Sequence, residues 1–190
     1  MHRHPMPALA ATTVALLLSA CAGSPTAPDA MPYSQAMLPA AVQVPVGHVV
    51  VLQTVGTGDI TYECREKAAA VGQFEWIFVG PAATLKDRQG RLVGRYFGPP
   101  ATWAATDGSA ITGTQLAVAP AGAGNIALQL VQAKPAMPTA GSGAMAGISH
   151  IQRVATRGGV APALACNDAA KGRRETVQYQ ADYVFWKPAA

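Results

Sequence analysis

The chain has 190 residues, 50% of them hydrophobic, with 13% charged and a formal net charge of +4 at pH 7. Half the chain being hydrophobic is enough to fill a core and excludes wholesale disorder, while the charged fraction lies well below the roughly 25% of an ordinary soluble domain. So small an excess of positive charge favours anionic surfaces weakly and gives no reason to expect a nucleic-acid partner.

The first element is a signal. His2, Arg3 and His4 form a basic start, and an apolar run over residues 8–20 leads into Leu18-Ser19-Ala20-Cys21. That run is shorter than the roughly 20 residues a membrane-spanning helix needs. The four-residue end resembles the lipobox of a bacterial lipoprotein, in which the cysteine thiol carries a diacylglyceryl thioether. An ordinary secretory signal with an incidental cysteine is the alternative. Lipidation at Cys21 implies a membrane partner through the anchor, and more than one acyl chain makes that anchoring stable. By resemblance to Gram-negative lipoproteins, Ala22 after the cysteine implies the outer membrane, with the domain facing the periplasm or the cell surface.

This reading divides the chain into a signal peptide over residues 1–20, a lipidated cysteine with a flexible tether over 21–41, and one domain over 42–190. Pro25, Pro28, Pro32 and Pro39 break any helix in the tether. With Cys21 taken by lipid, Cys64 and Cys166 are the pair left in an oxidising compartment. A bridge between them closes a loop of about 100 residues, worth on the order of 4–5 kcal/mol by loop-closure entropy. Two buried free thiols are the alternative.

Beyond residue 42 the hydrophobic period is two. Val49-Val50-Val51-Leu52 reads as a strand buried on both faces. Ile60, Tyr62 and Cys64 share one face of the next stretch, and Phe74, Trp76 and Phe78 share another. Residues 66–71 suit a short alanine-rich helical piece ended by Gly72. Asp87 with Gly90, and Asp107 with Gly108, mark two hairpin turns. Ile126, Leu128 and Leu130 alternate, and the last strand is the clearest, with Val177, Tyr179, Ala181, Tyr183 and Phe185 opposite Thr176, Gln178, Gln180 and Asp182. The expected fold is all-β, an antiparallel sandwich or barrel-like single domain carrying one disulfide.

Chemistry-bearing motifs are sparse. Gly122-Ala123-Gly124-Asn125-Ile126-Ala127 matches the glycine spacing of a dinucleotide loop, but a strand-like run follows it where a helix N-terminus is required. No cofactor is therefore expected. Past the signal, His48 and His150 are the only histidines, a poor supply for a metal. Ser149 and His150, adjacent on a strand, are expected to face opposite ways and not pair. The arginines offer more. Arg88, Arg91 and Arg95 fall on one hairpin, Arg153 and Arg157 on another segment, and Arg173-Arg174 near the last turn. They read either as solvated edges that discourage sheet-to-sheet pairing or as a surface for an anionic glycan or lipid head group. Among the tryptophans, Trp76 is expected inside, Trp186 falls on the polar phase of its strand, and Trp103 is a candidate platform within that ligand surface.

Several elements together carry a family resemblance. They are Ile60-Thr61-Tyr62-Glu63-Cys64, Trp76-Ile77-Phe78, Thr102-Trp103, Ile151-Gln152-Arg153-Val154, Gly158-Gly159-Val160-Ala161-Pro162 and Tyr179-Gln180-Ala181-Asp182-Tyr183. Their order resembles the DUF3455 family, a domain of unknown function in bacterial secreted proteins and lipoproteins and in filamentous fungi. The malate-dehydrogenase label carried by some relatives implies a dinucleotide site, which this chain lacks the loop to form. Ala104 stands where relatives often have a polar residue, which weakens a site built on the segment after Trp103. Arg153 is a ligand contact or a structural ion-pair partner, with Asp182 as a candidate partner.

The function expected from the residues is a non-enzymatic envelope module that binds a ligand or partner, or supports the cell surface. The alternative is an enzyme acting on glycans or small molecules of the envelope, with carboxylates drawn from Asp59, Glu63, Glu75, Asp107 and Asp182. No spacing marks a pair of them, so no catalytic role is assigned.

Overall fold

The computed structural model describes residues 33–135 and 142–189. The signal and Cys21 lie outside the described residues. Alternating apolar side chains build eight strands: β1 (His48–Lys67), β2 (Ala70–Lys86), β3 (Leu92–Phe97), β4 (Thr102–Ala105), β5 (Ala110–Ala119), β6 (Leu128–Pro135), β7 (His150–Gly158) and β8 (Arg174–Pro188). Each pairs antiparallel with the next, and β8 returns to β1 in a register running from His48 opposite Pro188 to Glu63 opposite Arg174. Of the two expected architectures, the chain adopts the closed barrel. Closure removes the exposed edges that an open sheet leaves unpaired.

β8 organises both layers of packing. Tyr179, Ala181, Tyr183 and Phe185 point into the lumen, as their alternation predicts, and meet Ile60, Leu85, Ile111 and Ile151 there. The opposite face of β8 is also covered. Residues 33–44 cross the outside of the barrel as a strap, burying Val42 and Val44 against Val184, Trp186, Leu130 and Val154. Residues 33–41 of the expected flexible tether therefore pack on the barrel. Trp186, expected on a wet face, is buried for the same reason, with the Tyr33 ring packed edge-on at 5.8 Å.

A single glutamine side chain holds the strap. Gln152 Nε2 donates to Gln35 Oε1 (2.9 Å) and to the Val42 carbonyl (2.7 Å), while Gln152 Oε1 accepts from Tyr33 Oη (3.1 Å) and Trp186 Nε1 (3.0 Å). Both donors and the acceptor of a fully buried amide are thereby satisfied.

Other local expectations resolve as follows. Asp87–Gly90 and Ala105–Gly108 close as hairpin turns, with Gly90 N and Gly108 N donating to the Asp87 and Ala105 carbonyls. Residues 66–71 are not helical: β1 runs on to Lys67, which pairs with Ala70 at the tip of the β1–β2 hairpin. Strand pairing outweighs the helix preference of alanine there, since so short a helix has little stability of its own. A bulge at Val51 breaks the run at 49–52, leaving Val49 and Val51 exposed while Val50 and Leu52 pack on opposite faces. Ile126 lies ahead of β6 and packs toward the lumen, out of phase with Leu128 and Leu130 under the strap.

The two barrel ends differ. Residues 142–149 close one end, burying Met145 and Ile148 in the lumen core. Asp107 and Ser109 in the β4–β5 turn accept hydrogen bonds from Ala144 N and Met145 N and hold this plug. At the other end the β1–β2 hairpin projects as an arm. The β7–β8 connection folds onto it through the Cys64–Cys166 disulfide and a hydrogen bond from Trp76 Nε1 to the Leu164 carbonyl. Trp76 is half-buried beneath that connection.

Replacing Gln152 by Leu leaves the Trp186 and Tyr33 donors and the Val42 carbonyl without their partner. Q152L should lose about 1–3 kcal/mol in denaturant unfolding, with proteolysis within residues 33–44 appearing before global unfolding. Unchanged stability and an uncut strap would show that the clasp is not what holds it.

Candidate ligand site at the barrel mouth

The structure disperses the arginines and the tryptophan proposed as one surface. Arg88 reaches from the β2–β3 turn to Asp182 Oδ2 (2.9 Å) and Gln53 Oε1 (3.2 Å). Arg91 Nε pairs with Asp87 in the same turn (2.7 Å). Arg95 lies on the outer face of β3 with its guanidinium 4.9 Å from the Phe97 ring centroid. Trp103 is not exposed at all: it is 1% accessible and stacks on Tyr96 inside the lumen, centroids 4.5 Å apart. Its Nε1 and Thr54 Oγ1 are buried with no hydrogen-bond partner among the described residues. Arg153 does not pair with Asp182, because adjacent β8 residues face opposite sides. It lies opposite Tyr183, on the lumen face, whereas Asp182 faces out to Arg88.

Arg153 instead stands in the open end of the barrel, in a cavity of about 640 Å³. This volume lies within the range of small-molecule sites. Nε and Nη2 of Arg153 both donate to the Ala127 carbonyl, at 3.1 and 2.9 Å, which fixes the guanidinium and leaves its other N–H groups available to the cavity. Tyr62 and Tyr96 form the aromatic wall, Gln115 and Gln129 bond to each other on the β5–β6 side, and Phe78, Val118 and Val160 form the rim. Arg153 is the only formal charge among the described residues that line the cavity. Burial pushes the phenols of Tyr62 and Tyr96 above their ordinary value, and that of Tyr179 below them up to about 12, so all three stay neutral.

Backbone chemistry shapes the mouth. Gly158 and Gly159 both adopt positive φ, and a Cβ on Gly159 would lie 2.8 Å from Tyr179 Cβ. The pair lets the chain turn tightly over the lumen, with Gly159 O accepting from Tyr62 Oη (2.8 Å) and Gly158 N donating to Asn125 Oδ1 (2.9 Å). Asn125 belongs to the glycine-rich segment whose spacing suggested a nucleotide loop. That segment forms a turn leading into β6, with no helix to receive a phosphate.

The remaining candidates lie elsewhere. None of the five carboxylates considered for an enzyme lines the mouth. Hydrogen bonds from Arg65 and Arg174 hold Glu63 down to about 2, and those from Ser109 and Ala144 lower Asp107. Both move away from the raised value a general acid needs. His48 and His150 meet edge to face at the plugged end, centroids 4.7 Å apart. Burial, then the neighbouring His48, lowers the His150 pKa. His150 Nδ1 lies 3.1 Å from Ser149 Oγ, contrary to the expected opposition, because Ser149 precedes the strand and escapes its alternation. No group of three or more metal-ligating side chains occurs among the described residues.

A family described as "Protein of unknown function (DUF3455)" matches residues 45–187. The chain belongs to the DUF3455 family. No curated protein and no solved structure matches it. The two most distinctive elements of the DUF3455 resemblance converge on the mouth. Ile151-Gln152-Arg153-Val154 alternates between lumen and strap and delivers Arg153, while Gly158-Gly159-Val160-Ala161 continues from β7 and brings Val160 and Ala161 to the rim. Sequence reading picked out Arg153 but missed Tyr62, Tyr96 and Phe78 as its companions. The shared phase of Tyr62 and Phe78, paired across β1 and β2, was the available signal.

Proposed function

We propose that this DUF3455 domain is a non-enzymatic binding module of the cell envelope and that the barrel mouth is its ligand site. One observation carries the reading: a fixed arginine stands in a cavity whose rim is apolar and open to solvent. Phe78 is 53% exposed, Val118 47% and Val160 42%. Large apolar side chains gathered around a concavity are a recurrent mark of a binding surface. Of the two anionic ligand classes considered, the rim supports a lipid-like molecule over a glycan, which would need polar partners along its length.

The Leu18-Ser19-Ala20-Cys21 sequence supports placement at the outer membrane, where a lipid on Cys21 would hold the barrel near hydrophobic ligands.

The neutral fluorophore N-phenyl-1-naphthylamine should bind saturably at one site per chain. Phe78→Ser combined with Val160→Ser should weaken binding about tenfold, and Leu92→Ser, on the outer face of the sheet, should leave it unchanged. Absence of saturable binding, or loss only with Leu92→Ser, would contradict the site. For the anchor, Cys21→Ser should move the protein from the membrane pellet to the soluble envelope fraction. Retention in the pellet would contradict lipidation as the attachment.

A further inference from the structure

We propose that the mouth receives a single-tailed amphipathic anion head first, the carboxylate or sulfonate meeting Arg153 and the tail lying outward along Phe78, Val118 and Val160. This rests on the mouth being the ligand site and adds the chemical class and the direction of entry. The charge lies inward and the apolar surface outward, so a ligand complementary to both must carry its charge on the end that enters.

The opposite orientation is closed off by packing. Below Arg153 the lumen is filled by the Tyr96–Trp103 stack and by Tyr183, which is fully buried and whose hydroxyl lies 3.1 Å from that of Tyr179. Among the described residues, these buried rings occupy the path an acyl chain would take. At the level of Arg153, the Ala127 carbonyl orients the guanidinium from behind. The remaining N–H groups make a donor fork suited to a carboxylate or sulfonate. No carboxylate among the described cavity residues competes for it. Outside this point the wall becomes apolar through Phe78, Val118 and Val160, which is where the first methylenes of a tail would lie.

Competition against bound N-phenyl-1-naphthylamine tests this, using dodecanoate and dodecanol below micellar concentrations. Dodecanoate should displace the fluorophore from the wild-type protein at about ten- to a hundred-fold lower concentration than dodecanol. In Arg153→Gln that ratio should fall to about one while the fluorophore still binds, and Arg153→Lys should restore part of it. Gln129→Glu, which leaves Arg153 in place but sets a carboxylate beside it at its paired position on β6, should lower the ratio in the same way. This second variant keeps the test decisive if Arg153→Gln does not fold.

Equal displacement by acid and alcohol in the wild-type protein, or an unchanged ratio in both variants, would overturn the head-first proposal while leaving the mouth as a ligand site. Failure of the fluorophore to bind at all would overturn the site and the proposal together. Arg153-dependent sedimentation with phosphatidylglycerol vesicles, without displacement by dodecanoate, would identify a bilayer surface as the anion source and also overturn it.

Discussion

The barrel depends on three aromatic rings sharing its middle. Tyr96 stacks on Trp103, and Tyr183 meets both, with centroids 5.2 and 5.9 Å away. Rings of this size fit only because neighbouring strands give up side chains. A Cβ on Gly56 would lie 2.5 Å from Tyr183 Cε2, and one on Gly113 would lie 2.4 Å from Val131 Cγ1 and 2.8 Å from Trp103 Cζ3. Large residues are thus matched to absent ones across the lumen, as close packing demands. With its middle filled and residues 142–149 closing the far end, the lumen opens, among the described residues, at the mouth.

Strand β7 links that interior to the exterior. Its alternation sends Ile151 and Arg153 inward and Gln152 and Val154 outward. The outward pair fastens the strap, and the inward pair fills the core and charges the mouth. Just beyond β7, the glycine turn and the bridged connection to β8 build the rim. The Cys64–Cys166 bond fixes that connection to the β1–β2 arm beside it. Cross-links and caps therefore sit around the mouth without covering it.

Much of the fold was legible in the chain. β8 could be read from its two-residue period, and the disulfide from counting cysteines against the expected oxidising compartment. Periodicity tells which residues share a face but not whether that face is covered. Trp186 fell on the polar phase of β8, yet the strap covers it. Trp103 had no alternating neighbours to mark it as interior, since β4 is only four residues long. The pairing proposed for Arg153 and Asp182 ignored the register, which puts them on opposite sides of the sheet. The mouth was not legible because it is assembled from β1, β2, β3, β5, β6 and β7, and only barrel closure brings Tyr62, Tyr96 and Arg153 together.

The proposed ligand site is the open end of the barrel and not the outer sheet face. The outer face of β2–β5 offers a groove of similar size, about 640 Å³, lined by Leu92, Arg95, Phe97 and Ala104. Nuclear magnetic resonance titration of the ¹⁵N-labelled protein with dodecanoate distinguishes the two. Binding at the mouth should shift the Arg153 Nε–H and the amides of Ala127, Gly159 and Val160, with Leu92, Phe97 and Ala104 unmoved. Shifts confined to Leu92, Phe97 and Ala104, with Arg153 silent, would contradict it.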